Sequence, residues 1–421
     1  MKRRVALVVG CLTAVSMCSD TVRAQERPEP NVLTPTQAAF EPQGFLGEPD
    51  AIERAAIFVE RQTGNELKNG FYTNFGDLVP GAGWLSVGPG YKRWFARDRA
   101  FVDTSATVSW HWYKAVQARF ELPRVARSRL ALGWQIQGQD FTQVDFFGEG
   151  AASRRADGSE YRLRSGDLVG YATWRPIRSL GITTQVGWLD ASVLPRAGTF
   201  KSDFPDTKDT FRNDIVFTLP DQPAFVHSEV SVTADTRDFP LHPLRGGLLR
   251  AAAARYSDRG TGVLSFMRYE AEAARFVPLV GSRIVLAVHG WLAASTTESG
   301  RFVPFYLQPS LGGRNTLRSY PDYRFHDRNL LVVNVETRVT AMTHLDVAAF
   351  LDAGNVAATL DALNLRKRSY GAGLRFHSRR ATFARLDVAR GDEGWRVLFG
   401  LSDPLSLTRL SRRTVAVPVA P

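Results

Sequence analysis

The residues with most to say about chemistry are one arginine and two acids. The stretch Leu311-Gly312-Gly313-Arg314-Asn315-Thr316-Leu317-Arg318-Ser319-Tyr320 reads as a glycine-rich loop, and Glu336 and Asp352 sit on the two strands that follow it. A guanidinium in a partly dehydrated space needs a carboxylate fork, and two acids on neighbouring strands can supply one. The competing reading leaves Arg318 solvated and places the acids on a watery wall. Catalytic patterns are missing: there is no Gly-x-Ser-x-Gly elbow, His-Glu-x-x-His helix, Walker loop or EF-hand run. The seven histidines read as scattered over different strands without metal-ligand spacing. No catalytic residue, metal or cofactor is therefore assigned, and the chain is not expected to be an enzyme.

The elements that must position these residues begin after an export signal. Lys2-Arg3-Arg4 forms a positive start, Val5 to Val15 an apolar core, and Val22-Arg23-Ala24 a cleavage site. Residues 1–24 thus read as a signal peptide, with Gln25 as the first mature residue. Val8-Val9-Gly10-Cys11 offers a lipobox alternative, but it leaves few apolar residues before the cut. Both cysteines, Cys11 and Cys18, fall in the signal, which excludes disulfide and thiolate chemistry from residue 25 onward. No later segment reaches the roughly 20 apolar residues of a membrane helix. The net charge of +11 lacks any accompanying basic-aromatic module, so it reads as contact with anionic lipid and a charged lumen rather than nucleic acid.

Residues 25–69 read as an irregular periplasmic segment with one short helix opening at Pro49-Asp50 and stopping at Gly64. Ile52, Ala55, Ala56 and Val59 share one helix face, which suits docking at the domain edge or plugging the periplasmic mouth. From residue 70 to 401 the pattern has period two. Leu331, Val333, Val335 and Val339 oppose Asn334, Glu336 and Arg338; Val347 and Leu351 oppose Asp346 and Asp352; Val230 and Val232 oppose His227 and Glu229. Such alternation serves a soluble sandwich or, inverted, a barrel with apolar residues toward lipid. Connection lengths favour the barrel. Turns near 240–247 and 278–282 are short, whereas 147–160, 189–223 and 295–327 are long, the asymmetry between periplasmic and extracellular rims. Trp94, Trp110, Trp112, Trp174 and Trp188 are expected at strand ends, forming an interfacial girdle. The predicted fold is all-β, a transmembrane antiparallel barrel of about sixteen strands with the sixth extracellular loop folded inward, and a tail over 402–421 that enters the lumen or the periplasm.

Four motifs in order then resemble the BamA/TamA family of outer-membrane assembly factors, the bacterial surface antigens. Asp235-Thr236-Arg237-Asp238 with Arg245-Gly246-Gly247 resembles its strand–turn segment. Gly312-Gly313 with Leu317-Arg318-Ser319-Tyr320 resembles its sixth-loop signature, Phe350-Leu351-Asp352-Ala353-Gly354 its F-x-D-x-G strand, and Gly371-Ala372-Gly373-Leu374-Arg375 its G-x-G-x-R strand. The resemblance covers 225–401. It implies a loop lock made by Arg318 with Glu336 and Asp352, an outer-membrane location in a Gram-negative bacterium, and surroundings of lipid and lipopolysaccharide. It also implies protein or lipid insertion or translocation; the alternative is a channel or surface protein without assembly activity. Two departures stand out. Ser319 replaces the family's loop glycine, which restricts a positive-φ turn there. Residues 25–69 accommodate one helix but not a POTRA module, so a separate periplasmic POTRA-like or chaperone partner is expected. Finally, Asp392, Gly394, Val397 and Phe399 resemble the C-terminal signal by which barrels are recognised for insertion.

Overall fold

A computed structural model of the chain describes residues 45–47, 49–63, 69–76, 86–198, 202–401 and 403–405. The expected signal peptide, Gly64 and the tail beyond 405 lie outside the described residues. Helix α1 (Asp50–Thr63) precedes sixteen strands: β1 Gly70–Gly76, β2 Ser86–Phe95, β3 Ala100–Ser109, β4 Lys114–Val125, β5 Leu130–Phe146, β6 Ser159–Ile177, β7 Leu180–Pro195, β8 Phe225–Asp235, β9 Gly246–Asp258, β10 Phe266–Val280, β11 Ile284–Thr296, β12 Asn329–Met342, β13 Leu345–Ala357, β14 Lys367–His377, β15 Thr382–Gly391 and β16 Gly394–Gly400. Each strand pairs with its sequence neighbours in one sixteen-stranded antiparallel sheet that runs in chain order, with β1 and β16 at its ends. One rim carries the long connections 147–158, 196–224 and 297–328 together with the short 110–113 and 392–393, and the other carries short turns and the longer 236–245; 297–328 is the sixth connection on the long-loop rim.

Side-chain exposure decides between sandwich and barrel. On β13 and β14 the apolar Val347, Leu351 and Tyr370 are 44%, 48% and 51% exposed, while Asp346, Asp352 and Arg375 are 1%, 0% and 0% exposed. A water-soluble sandwich buries the opposite set, so the outer face is built for lipid and the chain folds as a transmembrane barrel.

Strands β6 and β7 outrun that apolar belt. On β7 the odd-numbered residues point inward throughout, yet their chemistry changes from Gln185 to Leu189, Ala191 and Val193, all buried. Outside, exposed Val186 and Trp188 give way to exposed Asp190. The same inversion on β6 places Tyr161 and Leu163 inside while Arg162 and Arg164 face out. Polar-in becomes apolar-in where lipid ends and water begins. Trp188 therefore marks the interface in mid-strand rather than ending β7, and Trp174 sits within β6, whose turn is at 178–179. The loop expected from 189 accordingly starts at 196.

Above the belt the inward apolar residues form a dome. Phe305 of the sixth loop lies 4.6 Å from the ring of Phe146, 5.1 Å from Tyr161 and 5.8 Å from Phe217 of the 196–224 loop. Arg324 ties the dome to other loops, donating to Glu393 Oε1 at 2.7 Å and to the Ser153 carbonyl at 2.8 Å. At the opposite rim Leu46 N–H donates to the Ala341 carbonyl at 2.9 Å, and α1 lies against β14. Ala56 is buried but Ala55 is exposed, so the expected helix face is narrower than Ile52, Ala55, Ala56 and Val59 together; the Val59 side chain is outside the described residues.

Candidate functional site: a loop arginine forked into the barrel wall

The sixth loop descends into the barrel as a closed hairpin. Ser310 and Leu311 pair with His326 and Phe325 at its neck. Gly312 and Gly313 adopt φ of 117° and 86°, and a Cβ on either would strike the returning chain at Pro321 or Asp322. Thr316 Oγ and the Gly312 backbone bond each other at 2.9 and 3.0 Å, and Gly313 N–H donates to the Tyr320 carbonyl at 2.9 Å. Leu317 and Tyr320 are buried in a cluster with Trp291, Leu330, Val332 and Val356 of the wall. This packing aims Arg318 at β12 and β13.

The predicted partners meet it. Arg318 Nε and Nη2 fork onto Asp352 at 2.9 and 2.7 Å, its backbone N–H adds a third bond to Asp352 at 3.2 Å, and Nη1 reaches Glu336 at 2.7 Å. The guanidinium also lies 3.4 Å over the Phe350 ring, a cation–π seat in a space closed to water. Ser319 takes no positive φ; its N–H donates to Ser369 Oγ at 2.6 Å, and its hydroxyl fills the space over Gly391. The turn at this position does not use the glycine conformation, so serine fits without strain.

The arrangement is larger than a triad. Arg375 bonds Glu336 at 2.8 Å and pairs with Asp387 at 2.7 Å. Arg338 joins Glu336 at 2.9 Å and Asp403, just beyond β16, at 2.8 Å. Arg385 holds Asn315 Oδ1 at 2.6 Å and the Arg314 carbonyl at 3.0 Å. The four arginines face the four acids Glu336, Asp352, Asp387 and Asp403, so the buried assembly is neutral. A polar chain continues it: Asn334 donates to Asp352 at 2.8 Å, and His289 bridges Asn334 at 2.9 Å and Glu272 at 3.1 Å. Sequence reasoning placed Arg338 opposite the apolar face but did not join it to the loop, named Phe350 only as a motif residue, and missed Asp403. Asp403 and buried Leu405 turn the start of the tail inward, against a cluster that includes Leu248 and Phe276.

The other motif residues shape the wall. Asp235 forks onto Arg237 at 2.9 and 2.7 Å, and Asp238 Oδ1 accepts from Phe239, Leu244 and Arg245 N–H, closing the β8–β9 turn. Gly246, at φ 91°, passes against the Thr236 carbonyl. Gly371 lies beneath the Phe350 ring, and Gly373 leaves room for Arg375 and Asp387; Gly354 faces Leu311 of the loop. Of the expected insertion signal, Asp392 lies in the β15–β16 turn, accepting from Tyr320 Oη at 3.1 Å. Gly394 opens β16, and Val397 faces outward. Phe399 is half-buried and offers its carbonyl to Arg314 at 3.3 Å. One reading is corrected: the histidines are not all isolated, since the β8–β9 turn brings His242 against His377 and Asp346.

The sequence matches the profile of the Omp85 superfamily domain over residues 101–402. Among solved structures, the fold is similar to BamA from Haemophilus ducreyi lacking POTRA domains 1–3, at 15% identity and TM-score 0.61, covering 80% of this chain and 70% of that one. It is also similar to CdiB from Escherichia coli, at 14% identity and TM-score 0.51, covering 79% of this chain and 62% of that one. Comparison with curated protein sequences finds no significant match.

Proposed function

Since this chain belongs to the Omp85 superfamily, we propose that it works in the outer membrane of a Gram-negative bacterium, inserting or translocating protein or lipid. The long-loop rim then faces outward and the short-turn rim faces the periplasm. The observation that carries this reading is the seated sixth loop, forked by Arg318 onto Asp352 and Glu336. A buried charge network in which every acid faces an arginine specifies one loop position. That gives the barrel a fixed inner strut on the β12–β15 wall and leaves the β1 and β16 edges, each seven residues long, as the part free to rearrange around a client. The dome of Phe146, Tyr161, Phe217 and Phe305 favours this over a steadily open channel, because it fills the outer mouth with apolar side chains. Clients enter from the periplasm, where a POTRA-like or chaperone partner presents them at the rim beside α1. Lipid and lipopolysaccharide contact the outer apolar belt.

The test is reconstitution in liposomes with an unfolded outer-membrane barrel as client, alongside photo-crosslinking from the short-turn rim in native membranes. Faster client insertion and recovery of a periplasmic protein are expected. Steady single-channel conductance, with neither acceleration nor a crosslinked partner, would replace this reading with that of a plain channel.

A further inference from the structure

Three ligating side chains converge at the short-turn rim, apart from the arginine network. The β8–β9 turn folds onto the β14–β15 turn: Leu241 bridges Ala381, and its carbonyl accepts from Thr382 N–H at 3.1 Å. That docking stacks the rings of His242 and His377 at 3.9 Å and 12°. Asp346 of β13 faces both, its oxygens 3.3 Å from His377 Nε2 and 3.7 Å from His242 Nε2. The three ligand atoms all lie within 4.8 Å of one another, and His242, Asp346 and His377 are 1%, 1% and 3% exposed.

The far side of each ring is already partnered. His377 Nδ1 meets the Ser378 carbonyl at 3.1 Å, and His242 Nδ1 meets Thr382 Oγ at 3.0 Å. A carbonyl can only accept, so His377 carries a proton on Nδ1, and in the neutral ring the Nε2 lone pair faces the Asp346 carboxylate. Both Nε2 atoms and Asp346 Oδ1 are buried without a hydrogen bond. Lone pairs facing a buried carboxylate repel it unless a proton or a metal cation lies between them, and two rings and one carboxylate converging on one point are the donor set of a metal. An outer-shell partner that orients each imidazole is how proteins prepare histidine for a metal. Arg338, the cation bearing on both rings, is neutralised by Glu336 and Asp403, so its charge does not empty the site.

We propose that His242, His377 and Asp346 bind one divalent transition-metal ion of the zinc class, which clamps the β8–β9 turn across the periplasmic mouth onto β13 and β14. Two imidazoles and one carboxylate form a three-ligand set with water in the fourth place, and bond lengths of about 2.0–2.2 Å would draw the three donors together. Coordination hinges the two rings out of their parallel stack so that their lone pairs converge. The metal adds to the Leu241–Ala381 bridge and the Thr382 hydrogen bonds that already dock this turn. This inference is independent of the translocation reading, and its failure would leave that reading standing.

The test uses the purified full chain in detergent, stripped with chelator and titrated with Zn²⁺ and Co²⁺. Expected are one Zn²⁺ per chain, the visible bands of a low-coordinate Co²⁺ site, and an X-ray absorption spectrum with two imidazoles in the zinc shell. His242→Asn and Asp346→Asn should each weaken binding by about 100-fold or more, with heat-modifiable mobility confirming a folded barrel. His344→Ala, whose ring lies 6.4 Å from that of His377 outside the triad, should bind as the parent does. If either ligand variant fails to fold, the absorption spectrum of the parent decides alone. Absence of Co²⁺ bands, a zinc shell without paired imidazoles, or undiminished binding in the ligand variants would overturn the site and leave a proton-held clasp.

Discussion

Replacing Arg318 by alanine tests the seated loop most directly. Of its partners, Glu336 keeps Arg375 at 2.8 Å and Arg338 at 2.9 Å, so it stays compensated. Asp352 retains Asn334 at 2.8 Å and the backbone N–H of residue 318 at 3.2 Å, but no cation. The cost is therefore that of stranding one buried carboxylate, about 3–5 kcal/mol. At about 1.4 kcal/mol per decade, that shifts the balance between seated and released loop by roughly 10²- to 10³-fold or somewhat more. The only cysteines are Cys11 and Cys18, so a chain starting at Gln25 with Ser319→Cys carries a single thiol. In the parent background that thiol is buried and should resist a membrane-impermeant maleimide. Adding Arg318→Ala should speed labelling by a factor close to the shift in balance, raise conductance in planar bilayers, and reduce heat-modifiable barrel on gels. Unchanged labelling and conductance would refute the argument that this ion pair seats the loop.

Four further outcomes follow from the same contacts. Arg318→Asp sets a fourth acid beside Glu336, Asp352 and Asp387 and should label faster than Arg318→Ala; adding Asp352→Arg keeps the assembly neutral and should recover part of the protection, though not the Phe350 stack, and no recovery would mean the pair is not direct. Gly391→Ala drives a methyl group into Ser319 Oγ and should release the loop and raise conductance in planar bilayers, with Ser319→Gly partly restoring the parent conductance. Phe305→Ala removes a side chain packed among Phe146, Tyr161 and Phe217 and should cost about 3–5 kcal/mol, seen as new protease cleavage in the 196–224 loop. Glu149, on the loop after β5, accepts from Gln308, and burial raises its carboxyl above the usual range. A raised acid favours the folded form while protonated, so dome stability is full at low pH and falls as pH rises through the raised value. Glu149→Gln should flatten that dependence in protease-protection profiles.

The barrel wall was legible because alternation is a local signal: Val333/Asn334 and Leu351/Asp352 disclose their faces from nearest neighbours alone. The loop partners were legible because the family resemblance carried the lock onto Arg318, Glu336 and Asp352, and alternation put both acids on the inner face of adjacent strands. Local pattern does not report what crosses the lumen. Asp403 meets Arg338 only because the chain after β16 turns inward, and His242 meets His377 only because the β8–β9 turn lies over the β14–β15 turn. The reading of Trp188 failed for a different reason. Aromatic residues mark the membrane interface, not the end of a strand, and β7 runs on for seven residues, roughly 20 Å or slightly more, with its polarity reversed. The reversal itself, Gln185 inside and then Leu189, Ala191 and Val193 inside, was present in the sequence as a change of chemistry at constant parity.

That reversal explains the composition of the sixth loop. Where the wall turns apolar on its inner face, the loop offers Val303, Phe305, Tyr306 and Leu307. Where the wall is charged, the loop offers Asn315 to Arg385 and Arg318 to Glu336 and Asp352. The loop changes chemistry along its length in step with the strands it touches, so only one depth of insertion satisfies both zones. Withdrawing it by a few residues would lift Arg318 from its acids toward the rings of the dome, burying a cation among apolar groups while Asp352 loses its partner, and each loss costs several kcal/mol. Intermediate depths are therefore worse than either end. The loop is seated or fully released, and any event that uses its release must break the Arg318 fork and the aromatic dome together.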